Sequence, residues 1–210
     1  MSKNFIDLLI YESESYTDLN KMEQLVENGG DLSVLPLQPT FLALKSLPVD
    51  KIASYLPRFS KEQRQAFIDL DFWQKDLVDV ENFQTWLLAY EHCLDDDVKS
   101  EFVESDSLLL FLKASFNIYT FDIEDPQYPD HDYYFLTDDA LLLFEYSEEC
   151  NIVEETKKLI KHLYYNLGVE KAYTLLFKMV SQPFSFIEEE QYKFKKERLR
   201  DYGFVDYYES

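Results

Sequence analysis

The sequence predicts a mainly α protein, built from an array of short, solenoid-like helices, a small β-hairpin and a C-terminal three-helix part. Three observations predict this class. Apolar residues recur at spacings of three and four, which is the period of an amphipathic helix. Leu-Pro dipeptides interrupt the first half at intervals of 12 and 9 residues. The four glycines of the chain mostly follow predicted helices, where a left-handed terminator is favoured.

Residues 1–120 are predicted to form the helical array. A short helix is expected over residues 4–11. A second helix follows a cap at Thr17 or Asp18 and ends at Gly29-Gly30. Its apolar face consists of Leu19, Met22, Leu25 and Val26.

Proline divides the next segment, at Leu35-Pro36, Leu47-Pro48 and Leu56-Pro57. Because proline cannot donate a backbone hydrogen bond, each step breaks a helix, and short helices are expected over residues 41–47 and 49–56. Another helix begins with a capping box of Ser60 and Gln63; its buried face is Ala66, Phe67 and Leu70. The regular intervals resemble half-repeats of a helical solenoid. Prolines that simply separate the helices of a globular domain would give the same pattern.

Polar caps predict three further helices. Asp79 begins one whose apolar face is Phe83, Trp86, Leu87, Tyr90 and Leu94. The acids at 95–97 begin the next, over residues 98–103, where their charge suits the helix dipole. Ser105 or Asp106 begins another, which runs to about residue 116.

Residues 121–150 are predicted to form an acidic loop and a β-hairpin. The stretch 122–132 contains two prolines and five acids, which indicates a loop. The runs 133–136 and 141–146 then flank a turn and indicate two strands. One short helix over residues 138–145 is the alternative, since short apolar runs are ambiguous.

Residues 151–210 are predicted to form three helices packed on the array, so that the whole chain is one compact unit. The first helix ends at Gly168 and the second before Pro183. The third runs from about residue 185 to 202 and stops at Gly203. Acids open this last helix and bases close it, which complements the helix dipole.

The charge balance excludes several function classes. The chain carries 41 acidic and 20 basic residues, a net charge of −21. A surface with this much negative charge repels phosphate groups. We therefore expect neither a nucleic acid nor a membrane as a partner. With only four glycines, the chain has no glycine-rich phosphate-binding loop. No cofactor is predicted. The oligomeric state is left open.

The sequence favours a cytoplasmic location. Cys93 and Cys150 are too few for a disulfide framework. The first residues lack the basic start, long apolar stretch and cleavage site of a secretory signal. No apolar run approaches the roughly 18 residues that suggest a membrane span. We therefore expect reduced thiols.

No catalytic residue is predicted. His92 and Cys93 are adjacent, but successive residues on a helix point about 100° apart, so the pair is not expected to meet. There is no Gly-x-Ser-x-Gly motif, and the three histidines show no zinc-binding spacing. The protein is therefore predicted not to be an enzyme.

The acidic loop is the candidate metal site. Its carboxylates offer oxygen ligands to Ca²⁺ or Mg²⁺, and they are Asp122, Glu124, Asp125, Asp130 and Asp132. The spacing is not that of an EF-hand, because Pro126 occupies a ligand position and Gln127 replaces the glycine. A solvated acidic loop is the alternative.

Two segments resemble an uncharacterised bacterial domain family of unknown function. Phe67-Ile-Asp-Leu-Asp-Phe-Trp73 is similar to the family's Leu-Asp-Leu-Asp-x-Trp segment. The tail over residues 188–208, EEEQYKFKKERLRDYGFVDYY, is similar to its Glu-Glu-x-Tyr…Arg-Leu-x-Asp-x-Gly-Phe segment. The resemblance extends from about residue 35 to 208, and it implies no activity and no catalytic residue. Residues 35–116 also resemble the cytoplasmic N-domain of a magnesium transporter family, which implies a helical superhelix.

These observations predict a non-enzymatic protein-interaction or adaptor module of unknown partner in a bacterial cytoplasm. The candidate interface residues come from the two motif regions: Phe72, Trp73, Tyr192, Arg198, Tyr202 and Phe204. Asp69 or Asp71 is expected to pair with Arg198 and fasten the tail to the array. The alternatives are an acidic mimic of nucleic acid that binds a basic protein, and a regulatory domain that responds to divalent cations.

Overall fold

The computed structural model describes residues 19–204, which form a mainly α fold, as predicted. Ten α-helices lie in this part of the chain: α1 (Leu19–Glu27), α2 (Leu37–Lys45), α3 (Val49–Tyr55), α4 (Lys61–Asp71), α5 (Val80–His92), α6 (Asp96–Val103), α7 (Asp106–Ser115), α8 (Val153–Leu167), α9 (Val169–Ser181) and α10 (Phe184–Asp201). Two 3₁₀ turns cover Leu32–Val34 and Leu56–Arg58. The helix predicted over residues 4–11 and the caps at Thr17 and Asp18 lie outside the described residues.

Two prolines begin helices in the first half of the chain. Pro36 and Pro48 are the N-caps of α2 and α3, with φ of −65° and −66°. At a helix start the missing N–H costs nothing, because the first N–H groups have no intrahelical partner. The helix predicted over residues 41–47 therefore starts earlier, at Leu37, and ends at Lys45.

The predicted caps are confirmed. Ser60 Oγ accepts from the N–H of Gln63, and Gln63 Oε1 accepts from the N–H of Ser60, both at 3.2 Å. The Gln63 amide also donates to two carbonyls of residues 33 and 35. Asp79, Asp95 and Ser105 each accept from the N–H three residues further on. Side-chain caps thus fix the starts of four successive helices.

A three-stranded antiparallel sheet follows α7. Its strands are β3 (Asn117–Thr120), β4 (Tyr134–Leu136) and β5 (Leu142–Glu145), in the order β3-β5-β4. The predicted hairpin of β4 and β5 is confirmed, and the alternative helix over residues 138–145 is wrong. β3 was not predicted, because its four residues carry a weak pattern and pair with a strand more than 20 residues away. A second small hairpin, β1 (Trp73–Gln74) with β2 (Leu77–Val78), was also not predicted.

Helix α5 lies at the centre of the core. It packs against α3, α4, α6, α7 and α8, and Phe83, Trp86 and Leu87 are fully buried. Leu94 was expected on the same face, which is wrong: α5 ends at His92, and Leu94 is 97% exposed. The interpretation of the short helices as repeats stays a prediction.

The three C-terminal helices are confirmed. Gly168, with φ of +76°, joins α8 to α9, and α10 packs against α4 and α7. Buried apolar residues form one cluster that reaches from Met22 to Leu199, while the three-part division of the chain stays a prediction. No helix within residues 19–204 has both the length and the apolar character needed to cross a bilayer.

Candidate functional site

The clearest polar feature of the structure is an ion pair that fastens α10 to α4. Arg198 on α10 donates from Nε to Asp69 Oδ2 at 2.7 Å and from NH2 to Oδ1 at 2.8 Å. Asp69 is 1% exposed, so its carboxylate depends on this two-point contact. Of the two acids expected to pair with Arg198, Asp69 is therefore the one that does.

Asp71 has a different role, inside the core. Its Oδ2 accepts from Lys45 Nζ at 2.7 Å and from Trp86 Nε1 at 2.8 Å. These contacts tie α4 to α2 and α5. Two acids that are two residues apart on one helix thus serve two different interfaces.

Further polar contacts surround the Asp69–Arg198 pair. Gln65 donates from Nε2 to Asp69 Oδ1 and to Ser107 Oγ, both at 3.0 Å, which links α4 to α7. On the next turn, Arg64 NH2 contacts Glu101 Oε2 of α6 at 2.8 Å. Tyr202, at the end of α10, lies near Glu62 at the start of α4, and burial together with Glu62 and Asp201 raises the pKa of its hydroxyl; Arg198, four residues earlier, contacts the other end of α4 at Asp69. α10 therefore runs antiparallel to α4.

A cleft of about 370 Å³ opens where α10 crosses α4 and the start of α7. Its apolar floor is formed by Ile68, Tyr90 and Phe102, its polar wall by Gln65, Ser107, Gln191 and Arg198, and its rim by Lys61, Glu101, Glu104, Ser105 and Asp106. We call this the α10 cleft. Sequence reasoning missed it, although the four-residue spacing from Ile187 to Gln191 places Gln191 on the inner face of α10.

The six candidate interface residues do not form one surface. Phe72 is 1% exposed, and its ring lies 4.3 Å from that of Phe83. It was expected at an interface, but it packs inside the core and has no surface to offer. Arg198 is used in the pair with Asp69. The structure brings Trp73 and Tyr192 together, with ring centroids 5.6 Å apart.

The other two candidates lie at the C-terminal end of α10. Tyr202 is 40% exposed, and Phe204 is half-buried against the core. The N–H groups of both residues donate to the carbonyl of Leu199, which closes the helix. At the earlier contact between Trp73 and Tyr192, Lys195 Nζ lies 5.8 Å from the centroid of the Trp73 ring and makes a cation–π contact.

The metal site expected in the acidic loop stays a prediction. Across residues 19–204, no three His, Cys, Asp or Glu side chains converge in a way that could hold a metal ion. The five loop acids are all exposed. Asp122 instead accepts from the N–H of Glu124 within the loop.

Two histidines make contacts that the sequence did not indicate. His162 Nε2 lies 3.1 Å from Ser100 Oγ and joins α8 to α6. A Ser–His pair is one arrangement that activates a nucleophile, and here Ser100 lies inside helix α6. His131 Nε2 contacts Glu145, while its Nδ1 accepts from the N–H of Tyr133. Both nitrogens of His131 are thus engaged.

His162 gives a prediction about pH. Burial, together with nearby Lys99, lowers the pKa of His162 below its ordinary value of 6.5. As the pH falls below 6.5, the unfolded chain therefore takes up a proton more readily than the folded protein, and the free energy of unfolding falls. We expect His162→Gln to lose less stability than the unmodified protein between about pH 7.5 and 5.5 in urea titrations.

The control is His92→Gln, at an exposed histidine bound to Asp50. If the free energy of unfolding falls equally in His162→Gln and in the unmodified protein as the pH is lowered, His162 does not contribute to the loss of stability in acid.

Fold and site together define a mainly α protein whose helix α10 is fastened to the core by a partly buried ion pair. A family model described as a family of unknown function (DUF6178) matches residues 20–210, and the chain belongs to this family. The resemblance to an uncharacterised domain family is thereby confirmed. Nothing supports the likeness to the magnesium-transporter N-domain. Neither the curated proteins nor the solved structures contain a match to the chain.

Proposed function

We propose that this protein is a non-enzymatic protein-interaction module, and that the outer face of α10 binds an acidic segment of a protein partner. A bacterial cytoplasm is the setting that we propose for it. The observation that carries the proposal is a local reversal of charge. Five of the 20 basic residues of the chain lie within residues 193–200, although the net charge is −21.

Helical geometry groups three of these bases on one side of α10. Lys193, Lys196 and Arg200 follow a spacing of three and four, so they share a face; we call this the basic face. Lys193 and Arg200 are exposed. Arg198 points inward to Asp69. The outer side also carries Glu189, which pairs with Lys193, and Glu197, so its bases outnumber its acids by one.

Exposed aromatic rings add contact area beside the bases. Phe186 is 60% exposed and Phe194 is 43% exposed, both on α10. Aromatic and basic side chains are frequent anchors in protein interfaces. An acidic segment with apolar residues would match both features.

The negative charge of the whole chain does not prevent this contact. At physiological ionic strength, charges separated by more than about 8 Å are largely screened. A partner segment seated on the basic face is therefore governed by the bases next to it. The net charge instead slows association at low salt.

A labelled poly-glutamate peptide tests the proposal by fluorescence anisotropy. We expect it to bind the 210-residue chain and to dissociate as salt is raised. The double variant Lys193→Glu/Arg200→Glu is expected to lose binding. Its fold should persist, because the Lys193–Glu189 pair is exposed on both sides and such pairs contribute little.

The matched control is Lys171→Glu/Lys178→Glu. These two exposed lysines of α9 have the same seven-residue separation, so the change in net charge and the spacing are identical. Equal losses in both double variants would contradict a specific surface. Binding of poly-lysine instead of poly-glutamate would favour the acidic mimic. Among residues 19–204, no converging group of acidic side chains supports the alternative of a cation-responsive domain.

A further inference from the structure

We infer that Glu189 is a built-in competitor for the basic face of α10: its carboxylate occupies the ammonium group of Lys193, so an acidic partner must displace Glu189 to bind there. The inference rests on the proposed function and deepens it, because it concerns what sets the affinity of the basic face. Three features of α10 carry it: one ion pair, the order of charges along the helix, and the exposure of both charged groups.

The ion pair between Glu189 and Lys193 already uses one of the bases of this face. Lys193 Nζ lies 2.7 Å from Glu189 Oε1, and the two residues are four apart on the helix. The hydrogen bond and the charge of Lys193 lower the pKa of Glu189 below its ordinary value of 4.5. Glu189 is therefore ionised at neutral pH, and it accepts from one of the N–H groups that a carboxylate of the partner would use.

Glu189 lies at the N-terminal end of the same side of α10 as the bases. Residues at spacings of three and four share one side of a helix. The spacings from Glu189 through Lys193 and Lys196 to Arg200 are four, three and four. An acidic segment that follows the basic face towards the start of α10 therefore meets a carboxylate directly beyond Lys193. Because like charges repel, Glu189 also opposes the approach of a partner carboxylate to this base.

The exposure of both groups allows the pair to open without disturbing the fold. The side chains of Lys193 and Glu189 are 67% and 69% exposed, and exposed pairs at this spacing contribute little to stability. Glutamate four residues before lysine is nevertheless the more favourable order of such a pair. The pair is thus weak enough for a partner to displace, and displacing it lowers the affinity about twofold.

Fluorescence anisotropy with the labelled poly-glutamate peptide tests the inference on the 210-residue chain. We expect Glu189→Gln to bind the peptide about threefold more tightly than the unmodified protein, since the ion pair and one repelling charge are both removed. Glu190→Gln is the matched control, because Glu190 is the next residue, is exposed and changes the net charge equally. It leaves the Glu189–Lys193 pair intact, so we expect its affinity to rise less than about 1.5-fold.

A double-mutant cycle with Lys193→Met separates the ion pair from the repelling charge. Lys193→Met should bind the peptide more weakly but still measurably, because two bases of the face remain. In this background Glu189 has no ammonium group to occupy, so Glu189→Gln should change the affinity no more than Glu190→Gln does. Urea titration should show that each variant keeps its fold, since the substituted side chains are exposed.

Two results would overturn the inference and leave the proposed function in place. One is an equal affinity for the peptide in Glu189→Gln and Glu190→Gln, and the other is the same gain from Glu189→Gln with and without Lys193. Absence of binding in both the unmodified protein and Glu189→Gln would instead overturn the proposed function, and the inference with it. Binding in Glu189→Gln alone would support the inference, because the competitor would then mask the face completely.

Discussion

Replacing Arg198 with Met is expected to lower the free energy of unfolding by about 3 kcal/mol, the lower end of the range for breaking a buried pair. The substitution leaves the carboxylate of Asp69, 1% exposed, without its two strongest donors. The loss stays at the lower end because Gln65 still donates to Asp69. Urea titration followed by far-ultraviolet circular dichroism measures it.

Substitution on the other side of the pair should cost less. In Asp69→Asn, the guanidinium of Arg198 keeps its access to water, because that side chain is 35% exposed. Arg198→Glu should be the most destabilising of the three, since it places two carboxylates together. Unchanged stability in Arg198→Glu would show that the pairing does not fasten α10, and a larger loss in Asp69→Asn than in Arg198→Met would contradict the burial argument.

Truncation of Trp86 should have an effect of similar or larger size. Trp86→Ala is expected to cost about 3–5 kcal/mol, as large aromatic truncations in cores do. Its side chain is fully buried and packs against two rings, with centroids 6.0 Å from Phe67 and 6.5 Å from Phe41. The same urea titration measures the loss without relying on tryptophan fluorescence.

A second variant separates the indole N–H from the packing of the ring. Trp86→Phe keeps an aromatic ring but removes the donor to Asp71, so we expect a loss of about 1–3 kcal/mol. Trp73→Phe is the matched control, because Trp73 is only half-buried and packs at the edge of the core. Equal losses at positions 73 and 86 would contradict a central role for α5.

The helices could be predicted because their signals are local. Ser60 and Gln63 lie three residues apart and form a capping box, so four consecutive residues are enough to predict the start of α4. The prolines at 36 and 48 likewise mark helix starts, although the sequence did not show whether each ended or began a helix. Leu94 followed the apolar period of α5 but lay beyond its end.

Long-range pairing could not be predicted in the same way. Residues 117–120 form a strand only because β5 supplies its hydrogen bonds. The same holds for Phe72 and Trp73, neighbours in sequence, where tertiary packing decides which ring enters the core. Asp69 and Asp71 were both possible partners of Arg198. Because of the way α10 packs on α4, Arg198 pairs with Asp69, whereas Asp71 accepts a hydrogen bond from Trp86.

The site had the weakest sequence signal. The acidic loop was prominent in the sequence, but its exposed carboxylates do not converge. Gln191 was one residue in a charged tail, and its place in the α10 cleft follows only from the packing of α10 on α4 and α7. A cleft between helices that are distant in sequence has no local pattern by which it could be found.

Poly-glutamate binding and the free energy of unfolding, measured side by side on two variants, test most directly whether α10 is fixed by its inner face and binds through its outer face. Arg198→Met should lose stability and, below its unfolding transition, still bind the peptide. Lys193→Glu/Arg200→Glu should keep its stability and lose binding. Loss of both properties in both variants, or of neither in the double variant, would contradict the division of α10 into a fastening side and a binding side.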